Sequence, residues 1–232
     1  MEQVVIQIDG QEVRTERGKT ILEAAKENGI RIPTLCHLDG LPDIGACRLC
    51  MVEADGRFVT SCTTQVQDGM NVRTQTEELQ EMRRTVLELL FAERNHVCSF
   101  CVSNGHCELQ DLACELGMDS VRVPYSYPKL HLDATHPRFI IDHNRCVMCA
   151  RCVRVCAEVE GAHAWGIAFR GAQVRVITDL GVDWGDAESC TSCGKCVEVC
   201  PTGAIVLKGK ATGEMEKHPE LVAELEARRR AG

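Results

Sequence analysis

With 232 residues, 44% of them apolar but only 4% aromatic, the chain can build two or three small aliphatic cores, which excludes a disordered polypeptide. A formal net charge of −8 excludes nucleic acid as a partner, because phosphate binding needs clustered Lys and Arg. Sixteen cysteines, behind an N-terminus with no basic-then-apolar leader, point to metal chemistry in a reducing, cytoplasmic setting rather than to a disulfide framework. No segment approaches the roughly 18 apolar residues of a membrane span. With cores this small, metal ligation is expected to supply part of the folding energy, so the apo-chain should fold poorly.

Taken in order, residues 4–8 alternate as a strand, Asp9-Gly10 marks a hairpin turn and Glu12-Val13-Arg14 returns as its partner. Thr20 can cap a helix over 21–28 that Gly29 stops. Short strands follow at 51–54, 57–60 and 70–73, with Asp55-Gly56 and Asp68-Gly69 as turns, and together these elements read as a β-grasp domain over residues 1–75. Thr74-Gln75-Thr76-Glu77 fits a capping box for a long helix to about Arg94, whose apolar stripe is Leu79, Met82, Val86, Leu89 and Leu90. A short helix at 107–116, stopped by Gly117, completes a small helical domain over 76–137, which closes in a proline-bearing connection from Val123 to Pro137. Residues 138–208 form a third domain with a hairpin in 167–176, and 209–232 a charged helical tail, read as a solvated helix with a docking helix for a partner as the alternative. The fold class is α+β.

Within the third domain C-x2-C-x2-C-x3-C occurs twice, at Cys146, Cys149, Cys152, Cys156 and at Cys190, Cys193, Cys196, Cys200. Three thiolates two residues apart wrap one face of an iron–sulfur cube, and the fourth, three residues on, serves the other cube. The expected sets are therefore Cys146, Cys149, Cys152 with Cys200, and Cys190, Cys193, Cys196 with Cys156, each for a [4Fe-4S] cluster. Pro201 follows the last ligand, as bacterial ferredoxins prefer, whereas Ala157 stands in that place in the first copy. Zinc knuckles are the competing reading, and two tight groups of four thiols argue against them. Cys36, Cys47, Cys50 and Cys62, spaced C-x10-C-x2-C-x11-C on loops of the first domain, suit a [2Fe-2S] cluster, with a zinc site as the alternative. Gly45-Ala46 before Cys47 would let backbone amides approach the sulfides. Cys98, Cys101 and Cys107 supply only three thiolates for a further [4Fe-4S] cluster. The fourth ligand is His96, at the end of the long helix, or Cys114, two helical turns beyond Cys107; a three-cysteine or zinc site also remains open, and His106 points away. With His96 and without Cys114 the count closes at four ligands for each of four clusters. His37, His131, His136, His143, His163 and His218 read as ordinary surface or loop histidines.

The blocks Gly45-Ala46-Cys47-Arg48-Leu49-Cys50-Met51-Val52-Glu53, Asn95-His96-Val97-Cys98 and Gly105-His106-Cys107-Glu108-Leu109-Gln110, with Cys36 and the paired ferredoxin motifs, carry a resemblance over residues 1 to about 208. The chain resembles the small diaphorase subunit of cytoplasmic NAD-reducing [NiFe] hydrogenases, itself similar to the N-terminal part of the large iron–sulfur subunit of respiratory complex I. In complex I the histidine ligand stands where this chain has Arg94; the Asn-His-Val-Cys block is the hydrogenase-type variant and implies the role for His96. The resemblance implies an electron relay between the small and large subunits of a [NiFe] hydrogenase and a flavin subunit that holds FMN and NAD. No dinucleotide fingerprint, Walker loop or nickel–iron ligand pair occurs on this chain, so no catalytic residue is expected here. A formate dehydrogenase, another complex I-like assembly, or a free-standing polyferredoxin are the alternatives.

Overall fold

The computed structural model describes residues 2–231. The chain divides into two compact units, Met1–His37 with Asp43–Leu87, and Leu38–Pro42 with Glu88–Gly232.

In the first unit β1 (Gln3–Ile8) and β2 (Gln11–Glu16) form a hairpin around Asp9 and Gly10, both with positive φ, followed by α1 (Ile21–Glu27). Thr20 caps α1 by accepting from the Glu23 amide, while Glu23 accepts from the Thr20 amide at 2.7 Å. Strands β3 (Met51–Ala54), β4 (Arg57–Thr60) and β5 (Asn71–Arg73) complete a five-stranded sheet in the order β2-β1-β5-β3-β4. The β1–β5 pairing is parallel and the others antiparallel. Val4, Ile6, Ile8, Val13, Val52 and Val72 point inward and meet Ile21, Leu22, Ala24 and Ala25 of α1. Each large aliphatic side chain so buried stabilises the fold by about 1.5–3 kcal/mol, and this core backs the cysteine loops.

Helix α2 (Glu77–Glu93) follows. Its cap is Thr76, whose hydroxyl accepts from the Leu79 amide at 3.3 Å, and not the expected Thr74. Thr74 is diverted: both its amide and its hydroxyl donate to the Asp9 carboxylate, across 65 residues of sequence. Arg83 of α2 is fully buried and donates to the carbonyls of Leu49, Met51 and Thr74 at 3.1, 2.7 and 2.9 Å. A helix residue thereby clamps the backbone on either side of Cys50.

The second unit contains α3 (Glu108–Glu115) and a three-stranded sheet of order β10-β7-β6, from β6 (Leu132–Asp133), β7 (Phe139–Asp142) and β10 (Ile205–Leu207). Strand β6 lies inside what the prolines suggest is connection only. It forms because the extended run between Pro128 and Pro137 meets the free edge of β7, pairing Asp133 with Ile141. Strands β8 (Trp165–Ala168) and β9 (Arg175–Thr178) make the expected hairpin. Helices α4 (Arg151–Arg154) and α5 (Lys195–Val199) each begin inside a cysteine motif, and α4 runs on into a wider π-helical stretch, Val155–Glu160, closed by Gly161 at φ 75°. Such a stretch displaces side chains relative to an α-helix, and Cys156 lies within it.

The tail departs from expectation. Its helix α6 (Leu221–Ala231) starts only beyond Pro219, and Val222 is buried with Leu41, Val155 and Val199, while Arg229 donates to the Ala157 carbonyl at 3.1 Å. It is a docked helix of this chain, with only its outer face solvated. Among the described residues no helix is long and apolar enough to cross a membrane.

Candidate metal centres

In the first unit the four expected thiols converge. Cys36, Cys47, Cys50 and Cys62 are all buried; Cys36 is hydrogen-bonded to Cys47, and Cys50 lies 3.4 Å from Cys62, sulfur to sulfur. Within each pair the hydrogen bond lowers one thiol, Cys47 or Cys50, to about 6 and raises its partner, Cys36 or Cys62. Four sulfurs this close cannot all ionise without cations between them, so the cluster of thiols fits a bound metal group. The loop geometry agrees: Gly45 and Arg48 have positive φ of 59° and 60°, and the amides of Ala46 and Leu49 reach the sulfurs of Cys36 and Cys47.

In the second unit three small cavities open beside ligand-type side chains. His96, Cys98, Cys101 and Cys107 line one, with Phe91, Arg145 and Gly203. The His96 ring meets Phe91 edge-on at 5.3 Å and is bonded to the Leu90 carbonyl, so α2's last turn fixes its orientation. Its Nε2 is buried with no hydrogen-bond partner. Burial, with the nearby Arg94 charge, pushes this imidazole down to about 4, leaving it neutral and able to donate a lone pair. An orphaned ring nitrogen facing a three-thiol cavity is what an absent metal would leave. Cys114 is exposed and does not line the cavity. Arg94 is occupied elsewhere, buried and donating to the Cys146 and Val174 carbonyls. Gly203 permits close approach, since a Cβ there would fall 3.2 Å from Cys101 Sγ and 2.6 Å from Ser103 Oγ.

The two repeated motifs exchange cysteines. One cavity is lined by Cys146, Cys149, Cys152 and Cys200, the other by Cys190, Cys193, Cys196 and Cys156. The repeat extends to the backbone: positive φ falls two and four residues after the first cysteine in both copies, at Met148 and Ala150 and at Ser192 and Gly194. Alternating αR and αL residues turn successive amides toward one point, a cradle for an anion such as a sulfide-bearing cluster. The Met148 and Arg151 amides reach Cys146 and Cys149 accordingly. Burial pushes Cys146 and Cys149 up to about 11 and about 12 and raises Cys196, so these thiols stay protonated until a metal compensates their charge. Among the described residues no two cysteines form a disulfide.

Some contacts to sulfur are invisible in motif spacing. Trp184 Nε1 donates to Cys190 Sγ at 3.3 Å, Trp165 lines the same cavity, and Lys195, ion-paired with Glu160, lies near Cys193 and Cys156. Both tryptophans of the chain stand in the 25 residues before Cys190, the one cue available, because an indole N–H in a small core needs an acceptor.

Fold and donor sets together define an iron–sulfur electron-transfer protein of the α+β class. Three family models match it in succession: a 2Fe-2S iron-sulfur cluster binding domain over residues 1–77, an NADH-ubiquinone oxidoreductase-G iron-sulfur binding region over 83–122, and the ferredoxin-like domain of NADH-quinone oxidoreductase subunit 3 over 137–206. The chain is 35% identical over 206 residues to the gamma subunit of the NAD-reducing hydrogenase HoxS of Cupriavidus necator, covering 88% of this chain and 87% of that one. It superposes on a chain of the crystal structure of an NAD+-reducing [NiFe]-hydrogenase in the H2-reduced state with a TM-score of 0.86 and 37% identity, over 91% and 90% of the two chains. It is also 32% identical over 210 residues to the mitochondrial NADH-ubiquinone oxidoreductase 78 kDa subunit of Candida albicans, a match over 89% of this chain but only 29% of that protein's length. The chain belongs to the family of gamma-type iron–sulfur subunits of NAD-reducing hydrogenases.

Proposed function

We propose that this chain is the electron-relay subunit of a soluble, cytoplasmic NAD-reducing [NiFe] hydrogenase. Electrons pass through it between the hydrogenase small and large subunits and a diaphorase subunit carrying FMN and NAD. The observation that carries this reading is that sixteen ligand-type side chains, fifteen cysteines and His96, gather into four separate sets of four.

The first unit, with helix α1 laid on a five-stranded mixed sheet, is a β-grasp domain whose Cys36, Cys47, Cys50 and Cys62 hold a [2Fe-2S] cluster. Residues 76–137 supply His96, Cys98, Cys101 and Cys107 to a [4Fe-4S] cluster. Residues 138–208 form a two-[4Fe-4S] ferredoxin-like domain with sets Cys146, Cys149, Cys152, Cys200 and Cys190, Cys193, Cys196, Cys156. Each bound cluster would take up and release one electron at a time. The chain's own residues hold the sulfurs, exclude water and aim amides and an indole at them, and it needs no substrate-converting residue. Imidazole at His96 brings no charge to its set, which raises that site's potential relative to four thiolates.

Expression with candidate hydrogenase and diaphorase subunits tests the proposal. The chain should co-purify with both, and omitting it should abolish H2-dependent NAD+ reduction while each partner keeps its activity with artificial electron carriers. A chain that purifies alone at its own mass with clusters intact, and leaves that coupled activity unaffected when omitted, would instead be a free polyferredoxin.

A further inference from the structure

The two tryptophans of this chain are both committed to one metal cavity. Trp184 is 1% exposed and Trp165 5% exposed, and both line the cavity of Cys156, Cys190, Cys193 and Cys196. An indole has one donor and no acceptor, and a buried N–H left unsatisfied is costly. Here sulfur satisfies that of Trp184, which donates to Cys190 Sγ at 3.3 Å, and Trp165 packs edge-on against the same indole.

This donor cannot be re-aimed. The Trp184 ring stacks on Phe139 at 5.3 Å, lies 5.0 Å from His136 and meets Trp165 edge-on at 4.8 Å. Its backbone amide is fixed by Asp133 at 2.6 Å, and Trp165 lies in the β8–β9 hairpin. The sister cavity is built differently. Its side-chain contacts to sulfur are the long ones from Cys146 to Met148 Sδ, 3.8 Å, and from Cys200 to Thr202 Oγ1, 3.9 Å, and its nearby positive charges are Arg94 and Arg151.

We propose that Trp184 is a redox-positioning residue: its indole N–H, hydrogen-bonded to Cys190, raises the reduction potential of the [4Fe-4S] cluster held by that set. The inference rests on the ligand assignment made above. One-electron reduction adds negative charge that spreads onto the thiolate sulfurs. A fixed donor dipole aimed at sulfur stabilises the reduced state more than the oxidised one, so the potential rises.

The test uses the full chain, reconstituted anaerobically and titrated with dithionite under electron paramagnetic resonance. The relevant signal is the one that Cys193→Ala removes. Trp184→Phe keeps an aromatic ring and removes the donor; it should move that signal to lower potential at unchanged iron content, leaving the other signals in place. Uniform 5-fluorotryptophan labelling touches only these two residues and makes their N–H more acidic, so it should move the same signal upward. Opposite shifts from the two treatments mark hydrogen-bond donation, since loosened packing has no reason to reverse sign. The proposal is overturned if neither treatment moves the potential, if both move it the same way, or if the signal that moves is one removed by Cys146→Ala. Should the Phe variant lose the cluster, fluorotryptophan alone decides, an upward shift supporting the proposal and an unmoved potential sinking it. A wild-type chain that binds no cluster at this set overturns both this proposal and the ligand assignment, whereas a bound cluster with unmoved potentials overturns this proposal only.

Discussion

Arg151 holds Glu108 through both terminal guanidinium nitrogens, at 2.6 and 2.8 Å, tying the residue after Cys107 to the residue before Cys152. The first residues of α3 and α4, each beside a cysteine of a different set, are thus joined by one ion pair. The two ends differ in exposure, the Arg151 side chain at 4% and that of Glu108 at 45%. Removing Glu108 takes the carboxylate from a buried cation, while removing Arg151 leaves a carboxylate that water can solvate. Glu108→Ala should therefore destabilise by about 1–3 kcal/mol, and Arg151→Met by less, about 1 kcal/mol or below. Chemical denaturation of the two variants compares them directly, and equal costs would contradict this account.

The middle set makes a sharper prediction. His96→Ala should lower iron content from about fourteen to about ten atoms per chain and remove one cluster signal, while Cys114→Ala leaves both unchanged. His96→Cys should restore the iron with that signal at lower potential, because a thiolate adds the negative charge that imidazole lacks. Loss of the signal in the Cys114 variant would transfer the role to that residue.

Arg83 offers a test within the first unit. Its guanidinium supports three carbonyls at Leu49, Met51 and Thr74, with no exposure to water. Arg83→Met fills the space but leaves those acceptors buried without that donor, at a cost of about 2–4 kcal/mol. Because Leu49 and Met51 flank Cys50, the [2Fe-2S] absorbance should also bleach faster in air than in the parent, with the cubane signals retained.

The docked tail can be challenged at a glycine. Gly40 has φ of 84°, and a Cβ there would sit 2.4 Å from the Ala223 Cα, backbone against backbone. Gly40→Ala should cost about 1–3 kcal/mol through strain and displaced packing, and Val222→Asp about 2–4 kcal/mol by burying an unpaired carboxylate. Limited proteolysis should then cut near residues 208–220 in both variants while the parent resists. Unchanged protection would mean that α6 does not need this contact.

Much of this architecture was legible locally. The Thr20–Glu23 capping box, the Asp9-Gly10 turn and the cysteine spacings are each written within a few residues, and α1, the first hairpin and the repeated motif follow from them. Failures came where a distant partner displaced a local one. Thr74 gives up the cap because the Asp9 carboxylate reaches it, and Thr76 takes over. Val222 reads as one apolar residue in a charged helix until Leu41, Val155 and Val199 surround it. His96 and Cys114 were both eligible by spacing; the last turn of α2 aims the imidazole at the cavity while Cys114 stays on the exposed side of α3. The indole donor and Arg83 act across packing contacts that no spacing rule encodes.

The exchange of Cys156 and Cys200 between the repeated motifs has a consequence for how such a chain can change over generations. Each cavity depends on one sulfur carried by the other copy. A lineage could lose Cys190, Cys193 and Cys196 and still keep the first site whole, provided Cys200 is retained as an isolated relic of the vanished motif. Deleting the second copy outright would take the first site with it. By the same logic Cys146, Cys149 and Cys152 could go while Cys156 stays, so either copy can be trimmed provided the cysteine it lends is kept.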